Sequence, residues 1–173
     1  MYADGHHDIQ KQLALSGEPI LDDLKGAYKL KEPIPVLEYQ DLALQIRDYK
    51  EAYADYWDST AGTDGKVVDA VLMPAAPHAA VIPGKWVHLA YTEVINVLDY
   101  TSLVIPVTHA NKEIDIRPPY GNISSRFTDD REAYHGAPVG IQIVGRLWEE
   151  EKIIEIGKYV EMLLNDGNSL NDL

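Results

Sequence analysis

The spacing of hydrophobic and polar residues changes once along the chain, near residues 59–65. Before that stretch, apolar residues recur at steps of three and four, which is typical of helices with one apolar side. After it, short and nearly continuous apolar runs alternate with helical patterns, as expected for strands covered by helices. The pattern therefore predicts an α/β fold with a helical segment over 1–62 and a strand–helix segment over 63–173.

The helical segment contains two predicted helices. The first spans 6–15 and ends in the run Ser16-Gly17-Glu18-Pro19, and the second spans about 36–57. The apolar stripe of the second helix is rich in tyrosine, and we interpret it as an aromatic core with hydroxyl groups at its rim rather than as the wall of a ligand site. The stripe consists of Tyr39, Leu42, Ile46, Tyr49, Tyr53 and Tyr56.

Three apolar runs predict the strands of the second segment. They lie at 67–73, 103–107 and 139–144. A helical pattern over 87–98 connects the first two, so a parallel βαβ unit is expected. Pro106 predicts that the second strand lies at a sheet edge, or that its last residues leave the ladder.

The last helix is predicted over about 149–164, ended by Asn165-Asp166-Gly167. Its three opening carboxylates, Glu149 to Glu151, complement the helix dipole, and we favour this role over a metal or carboxylate cluster. The polar connection over 109–137 is long enough to be functional or disordered. The apolar face of the helix is expected to bury Ile153, Ile156, Val160, Leu163 and Leu164.

Composition narrows the class of protein. The net charge of −13 would repel phosphate backbones, which argues against nucleic-acid binding. No apolar run approaches the ~20 residues that span a bilayer, and no signal peptide is visible, so no membrane span is expected. The absence of cysteine excludes disulfides and is compatible with a reducing compartment, so a cytoplasmic location is expected.

Few residues are arranged for catalysis. The histidines lack the helical pairing with glutamate that marks zinc hydrolases, and His6-His7 is interpreted as part of a solvated terminus rather than a metal site. The adjacent Ser124 and Ser125 have no glycines after them to form an oxyanion turn, so we interpret them as loop residues. The sequence therefore assigns no catalytic residue, no metal site and no cofactor.

Two runs resemble a known family. The first is Gly136-Ala-Pro-Val-Gly-Ile-Gln142 with the following Gly145-Arg146, Trp148 and acidic helix start, and the second is the run from Tyr91 to Tyr100. Together they resemble the C-terminal part of amidase-signature hydrolases, especially fungal acetamidase-like members. The resemblance implies part of a large α/β/α sandwich, here with a mixed sheet of about three to four strands and flanking helices.

In that family, two serines and a lysine hydrolyse the amide, and both serines lie in or beside a Gly-Gly-Ser-Ser-Gly-Gly-like stretch. That stretch does not occur in these 173 residues, and no lysine can be matched to the catalytic one. The resemblance thus implies a C-terminal fragment of an amidase that hydrolyses linear carboxamides to an acid and ammonia or an amine. Alone, this fragment is expected to be inactive.

The same resemblance implies partners and a pocket. A complementary N-terminal amidase segment would complete the enzyme, and a small-molecule amide would then be its ligand. Trp148, Leu103 and Val104 would lie near the acyl side of the substrate pocket, although structural packing is an alternative role for each. The alternative function is a non-catalytic binding or regulatory module that pairs with a complete amidase.

Overall fold

A computed structural model of the protein describes residues 2–80, 82–83, 88–116 and 131–170, without the side chains of 23 and 167–170. These residues form two compact units, Met1–Tyr56 and Trp57–Leu173. The helices are α1 (His7–Ser16), α2 (Val36–Asp58), α3 (Ala90–Leu98), α4 (Arg131–Tyr134) and α5 (Glu150–Leu170), with a 3₁₀ helix at Asp22–Leu24. The strands are β1 (Val71–Pro74), β2 (Ser102–His109) and β3 (Pro138–Val144).

The start of α1 is stabilised by Asp4. Its carboxylate accepts hydrogen bonds from the backbone N–H of Asp8 at 2.8 Å and of His6 at 3.1 Å, which satisfies donors that a helix N-terminus leaves without partners. Gly17 ends the helix in the left-handed conformation, with φ 72°. The predicted helix over 6–15 is therefore confirmed to within one residue.

His6 is buried, and the prediction that it belongs to a solvated terminus is wrong. Its side chain is 3% exposed, its Nδ1 donates to the carbonyl of Lys29 at 2.9 Å, and its ring centroid lies 4.5 Å from that of Tyr2 and 5.7 Å from that of Tyr28. The cause is a backbone pairing that the sequence pattern does not reveal, in which residues 3–5 bond to residues 31–34. His7, by contrast, is exposed.

Helix α2 forms as predicted, but its tyrosine stripe is not one continuous core. Leu42, Ile46 and Tyr53 are half-buried, whereas three other stripe residues, Tyr39, Tyr49 and Tyr56, are exposed. Ring centroids of Tyr49 and Tyr53 lie 6.3 Å apart, and those of Tyr53 and Tyr56 lie 6.1 Å apart. The rings therefore pack on each other along the helix surface, which leaves half of the stripe exposed.

The three described strands form a sheet in the order β1–β3–β2, with both pairs antiparallel. Val144 of β3 is paired with Val71 of β1 and with Ser102 of β2. Strands β1 and β2 therefore run in the same direction on either side of β3. The predicted α/β class with three strands and flanking helices is confirmed. The expected parallel βαβ unit is confirmed in strand direction, with α3 between β1 and β2 in the sequence, and the last strand in the sequence lies between these two strands in the sheet.

Strand β1 begins later than predicted. The backbone N–H of Val68 donates to Oγ1 of Thr60 at 3.1 Å, and its carbonyl accepts from Nε1 of the buried Trp57 at 3.1 Å. Residues just before β1 are thus bound to the end of α2 rather than to the ladder.

In β2, the register is irregular between Pro106 and Thr108, and the strand lies at an outer position of the described sheet, as its proline predicts.

Helix α5 covers one face of this sheet. Ile153 is fully buried, and Gly157 lies so close to β2 and β3 that a Cβ atom there would overlap Cδ2 of Leu103 and approach Cδ1 of Ile143 to 3.8 Å. The predicted end of α5 at residues 165–167 is wrong, since the helix continues to Leu170. Gly167 does not end the helix, because one glycine lowers helix stability by only ~1 kcal/mol relative to alanine. Leu163, predicted to be buried, is exposed.

The remaining predictions concern α3 and the long polar connection. The helix begins at Ala90 rather than at residue 87, and residues 84–87 lie outside the described part of the chain. Within the connection, residues 117–130 are likewise outside it, and residues 131–134 form the short helix α4. Ser124 and Ser125 therefore stay a sequence-based interpretation.

Among the described helices, none combines the length and the apolar character that crossing a membrane requires.

Candidate functional site

Two neighbouring cavities in the second unit are both lined by residues of the segment 75–80, which follows β1, and they have Ala76, His78 and Ala79 in common. The larger, of about 480 Å³, is the polar cleft, and its polar lining consists of His78, Asn111, Lys112, Asp115, Arg131 and Tyr134. The smaller, of about 390 Å³, is the apolar cleft, lined chiefly by Ala75, Ala80, Val104, Pro106, Pro138 and Gly140. Sites for small organic molecules are concave and combine an apolar lining with a few polar groups, and the two clefts together offer both kinds of surface.

Backbone hydrogen bonds fix the walls of the polar cleft. Ala110 donates to the carbonyl of Ala137 at 2.8 Å and accepts from the N–H of Gly136 at 2.8 Å, which holds the turn after β2 against the start of β3. Gly136 has φ 80°, a conformation that glycine adopts without strain. Ala80 donates to the carbonyl of Pro138 at 2.8 Å, so the segment 75–80 is anchored at its far end.

The charged and polar groups of the cleft are already oriented by protein contacts. Lys112 forms an ion pair with Glu132 at 2.8 Å, and a carboxylate oxygen of Asp115 accepts from the N–H of Asn111 at 2.6 Å. The ring of His78 is stacked on Tyr134 at 6.0 Å. Such a lining offers both donors and acceptors, which suits a neutral polar ligand better than a highly charged one.

The tautomer of His78 follows from its backbone contact. Its Nδ1 lies 2.8 Å from the carbonyl oxygen of Ala79, which can only accept a hydrogen bond, so Nδ1 carries a proton. In the neutral ring, Nε2 is then the acceptor nitrogen. Across the described residues, no group of three or more His, Cys, Asp or Glu side chains is arranged to hold a metal ion.

The structure does not bring the three predicted pocket residues together. Val104 lines the apolar cleft and is 55% exposed. Leu103, the preceding residue of the same strand, faces α5 on the opposite side of the sheet, because successive strand residues alternate between faces. Trp148 is 80% exposed, in the turn between β3 and α5, with φ 65°. Of the three, Val104 is therefore the one that contacts a described cavity.

The turn before α5 is fixed by charged groups. The backbone N–H of Arg146 donates to Oε2 of Glu149 at 2.7 Å, and its guanidinium forms an ion pair with Asp58 at 2.7 Å. Lys152 contacts carboxylates of Glu149 and Asp69, each at 3.2 Å. Burial lowers the pKa of Lys152, but these hydrogen bonds outweigh it and leave the pKa raised. The acidic residues thus lie at the helix start, as the sequence predicts.

Gln142 is a residue that the sequence interpretation missed. It is 1% exposed, and all parts of its amide are used. Its Nε2 donates to the carbonyls of Pro74 at 3.0 Å and Tyr91 at 2.8 Å, while its Oε1 accepts from Oγ of Ser102 at 3.2 Å. Pro74 and Tyr91 both line the polar cleft. The available signal was a single polar side chain inside an otherwise apolar strand.

Comparison with known proteins gives consistent matches. The family model described as Amidase matches residues 24–154. Acetamidase of Aspergillus oryzae is 40% identical over 169 residues, which cover 94% of this chain and 31% of that protein. Acetamidase of Emericella nidulans is 35% identical over 171 residues, again covering 31% of its length. The chain therefore spans about a third of the relatives that it matches.

A solved structure matches the fold. A fatty acid amide hydrolase superimposes on 94% of this chain with a TM-score of 0.78 and 23% sequence identity, and the match covers 30% of that structure. At this identity the likeness shows a shared arrangement of helices and strands. The sheet and helices described above are therefore those found in a part of that larger enzyme.

Proposed function

This chain belongs to the amidase family, and on that premise we propose that it forms part of an enzyme that hydrolyses linear carboxamides to an acid and ammonia or an amine. The observation that carries the proposal is the 40% identity to the Aspergillus oryzae acetamidase across 94% of the chain. The polar and apolar clefts support it, since a carboxamide has a polar amide group and an apolar acyl group.

The proposal assigns the bond-breaking groups to a complementary N-terminal amidase segment. The 173 residues contain no Gly-Gly-Ser-Ser-Gly-Gly run, and they match only 31% of the acetamidase. A serine nucleophile needs a neighbouring base and preorganised oxyanion donors. The proposed role of this chain is to supply part of the fold and of the substrate pocket, with Val104, which lines the apolar cleft, on the acyl side. A cytoplasmic location is also part of the proposal, supported by the lack of cysteine.

The first test is activity of the chain alone. We expect the purified 173-residue protein to release no ammonia from acetamide above background. Removal of a nucleophile leaves at most ~10³–10⁴-fold acceleration over water, and only where an oxyanion hole remains. A turnover that disappears in Ser124→Ala or Ser125→Ala would contradict the assignment of the nucleophile to the complementary segment.

The second test is transplantation. The chain replaces the matching segment of the Aspergillus oryzae acetamidase, and ammonia release from acetamide and longer carboxamides is measured. A folded and active chimaera is expected. Val104→Phe should then shift preference toward shorter acyl groups, because the larger ring fills part of the 390 Å³ cleft. Val97→Phe, at another exposed valine outside both clefts, is the matched control.

The two tests also separate the alternative function. A chimaera that folds but hydrolyses no carboxamide would refute the proposed role. A chain that binds a complete amidase without contributing to turnover would instead identify a binding or regulatory module. An unchanged acyl preference in Val104→Phe, with wild-type turnover, would remove Val104 from the substrate pocket while leaving the family function intact.

A further inference from the structure

The side chain of Gln142 links three other segments of the second unit to one strand. It lies on β3, the central described strand, and its side chain bonds to the end of β1, the first turn of α3 and the start of β2. Its two donor hydrogens and its acceptor oxygen are all engaged. A buried amide with complete hydrogen bonding is specific for one geometry, because any displacement leaves a polar group without a partner.

The two contacts made by Nε2 both lead to the polar cleft. Pro74 is the last residue of β1 and directly precedes the segment 75–80, whereas Tyr91 lies in the first turn of α3. Each of them lines the cleft. One nitrogen therefore fixes the separation of two wall elements that come from different parts of the sequence, at 3.0 Å to one carbonyl and 2.8 Å to the other.

The third contact leads elsewhere. Ser102 opens β2 and is not among the residues that line either cleft, and its Oγ donates to Oε1 of Gln142. The amide thus has a cleft-facing side, Nε2, and a sheet-facing side, Oε1. A mutation can remove a contact of one side without removing those of the other. Ser102→Ala removes a contact of the sheet-facing side and leaves both cleft-facing bonds in place.

We propose that Gln142 is a positioning residue that sets the width of the polar cleft by tethering Pro74 and Tyr91 to the central strand. It touches no reacting atom and acts through the residues that it holds. Its relevance to substrate binding rests on the proposed amide hydrolysis, but the tethering itself is a property of the 173-residue chain. The two parts are therefore tested separately.

Amide hydrogen exchange in the 173-residue chain tests the tether. The N–H of Ala80, bonded to Pro138, reports on the segment 75–80, and the N–H of Glu93, bonded to Leu89, reports on the first turn of α3. The N–H of Ile153, bonded to Glu149, reports on α5, which receives none of the three side-chain hydrogen bonds of Gln142 described above. Local opening and global unfolding are separable because they expose different sets of amides.

Gln142→Met keeps the length of the side chain and removes all three hydrogen bonds. We expect exchange at Ala80 and Glu93 to accelerate by roughly tenfold or more relative to exchange at Ile153, since each lost hydrogen bond from Gln142 to a wall carbonyl favours local opening. Ser102→Ala should change this ratio less than about twofold. Gln142→Asn, which keeps the amide but is one methylene shorter, provides a second variant if the methionine protein does not fold.

The outcomes decide the proposal. Equal acceleration at all three amides would show that Gln142 only stabilises the whole unit, and no acceleration at Ala80 and Glu93 would show that it tethers nothing; either result overturns the proposal. In the acetamidase chimaera, Gln142→Met should raise KM for acetamide several-fold with a smaller change in kcat, whereas Ser102→Ala should change neither beyond about twofold. An inactive wild-type chimaera would refute the proposed function but leave the exchange test of the tether unaffected.

Discussion

The close approach of α5 to the sheet at Gly157 predicts an unusual response to a helix-favouring substitution. In most exposed helix positions, replacing glycine with alanine stabilises a protein by ~1 kcal/mol. At Gly157, the added methyl group would overlap Cδ2 of Leu103, with Cγ of Leu103 at 3.7 Å and Cδ1 of Ile143 at 3.8 Å. Overpacking of this kind costs ~1–3 kcal/mol. We therefore expect Gly157→Ala to lower the free energy of unfolding by about 0–2 kcal/mol.

A second substitution isolates the contact. Leu103→Ala alone should lower the free energy of unfolding by ~2 kcal/mol, near the small end for leucine truncation because Leu103 is only half-buried. In that background, the obstacle to the new methyl group is gone, and Gly157→Ala should stabilise by up to ~1 kcal/mol. The coupling energy of the pair is then about 1–3 kcal/mol, in the range found for residues in contact.

Urea unfolding followed by circular dichroism measures all four proteins of this cycle, with transitions that should remain two-state. The slope of the unfolding free energy against urea concentration must be the same for all four proteins, so that differences in the unfolding midpoint reflect stability alone. Stabilisation of the wild-type chain by Gly157→Ala, with the same gain in the Leu103→Ala background, would refute the reasoning. It would mean that α5 does not lie against β2 at this position.

Three further predictions concern other parts of the chain. Trp57→Phe should lower the free energy of unfolding by ~1–3 kcal/mol, because the Val68 carbonyl oxygen loses the hydrogen bond from Nε1 and remains beside a buried ring. Urea unfolding measures this difference. The Asp8 N–H lowers the pKa of Asp4, so the support that Asp4 gives α1 is present above pH ~3.9 and lost as pH falls through the lower folded value; an acid titration by circular dichroism should lose this step in Asp4→Asn. Exposed apolar surface, including Leu72 and Val104, should cause self-association that increases as salt rises from about 20 to 300 mM and screens the charge of −13, and a monomer throughout in sedimentation would contradict it.

Local patterns in the sequence predicted which elements exist but not how they are arranged. The continuous apolar run over 139–144 and the helical spacing after Glu149 are set by neighbouring residues, and both elements begin within one residue of the predicted position. The position of β3 between β1 and β2 depends on pairings between distant residues, which hydrophobic periodicity does not encode. The βαβ expectation therefore gives the right strand direction but does not specify which strand lies between β1 and β2.

The candidate site shows the same division. Val104 was predicted from the resemblance and does line a cleft, but strand alternation places Leu103 on the other face. The apolar stripe of α2 was correctly identified as helical, yet the exposure of Tyr39 follows from tertiary packing that spacing alone does not determine. Gln142 was missed because its importance comes from three partners that are 40 to 68 residues away in the sequence.

The central position of β3 also bears on how the chain acquires its structure during synthesis. Val71 and Ser102 both pair with Val144. On the ribosome, Val71 of β1 is therefore synthesised 73 residues before its partner, and Ser102 of β2 is synthesised 42 residues before it. Pairings between distant residues fold slowly and leave strand edges open in the meantime. A ribosome that stops before Pro138 would release two strands without the one that both of them bind. For this unit, the synthesis of β3 decides between a sheet and two unpaired segments.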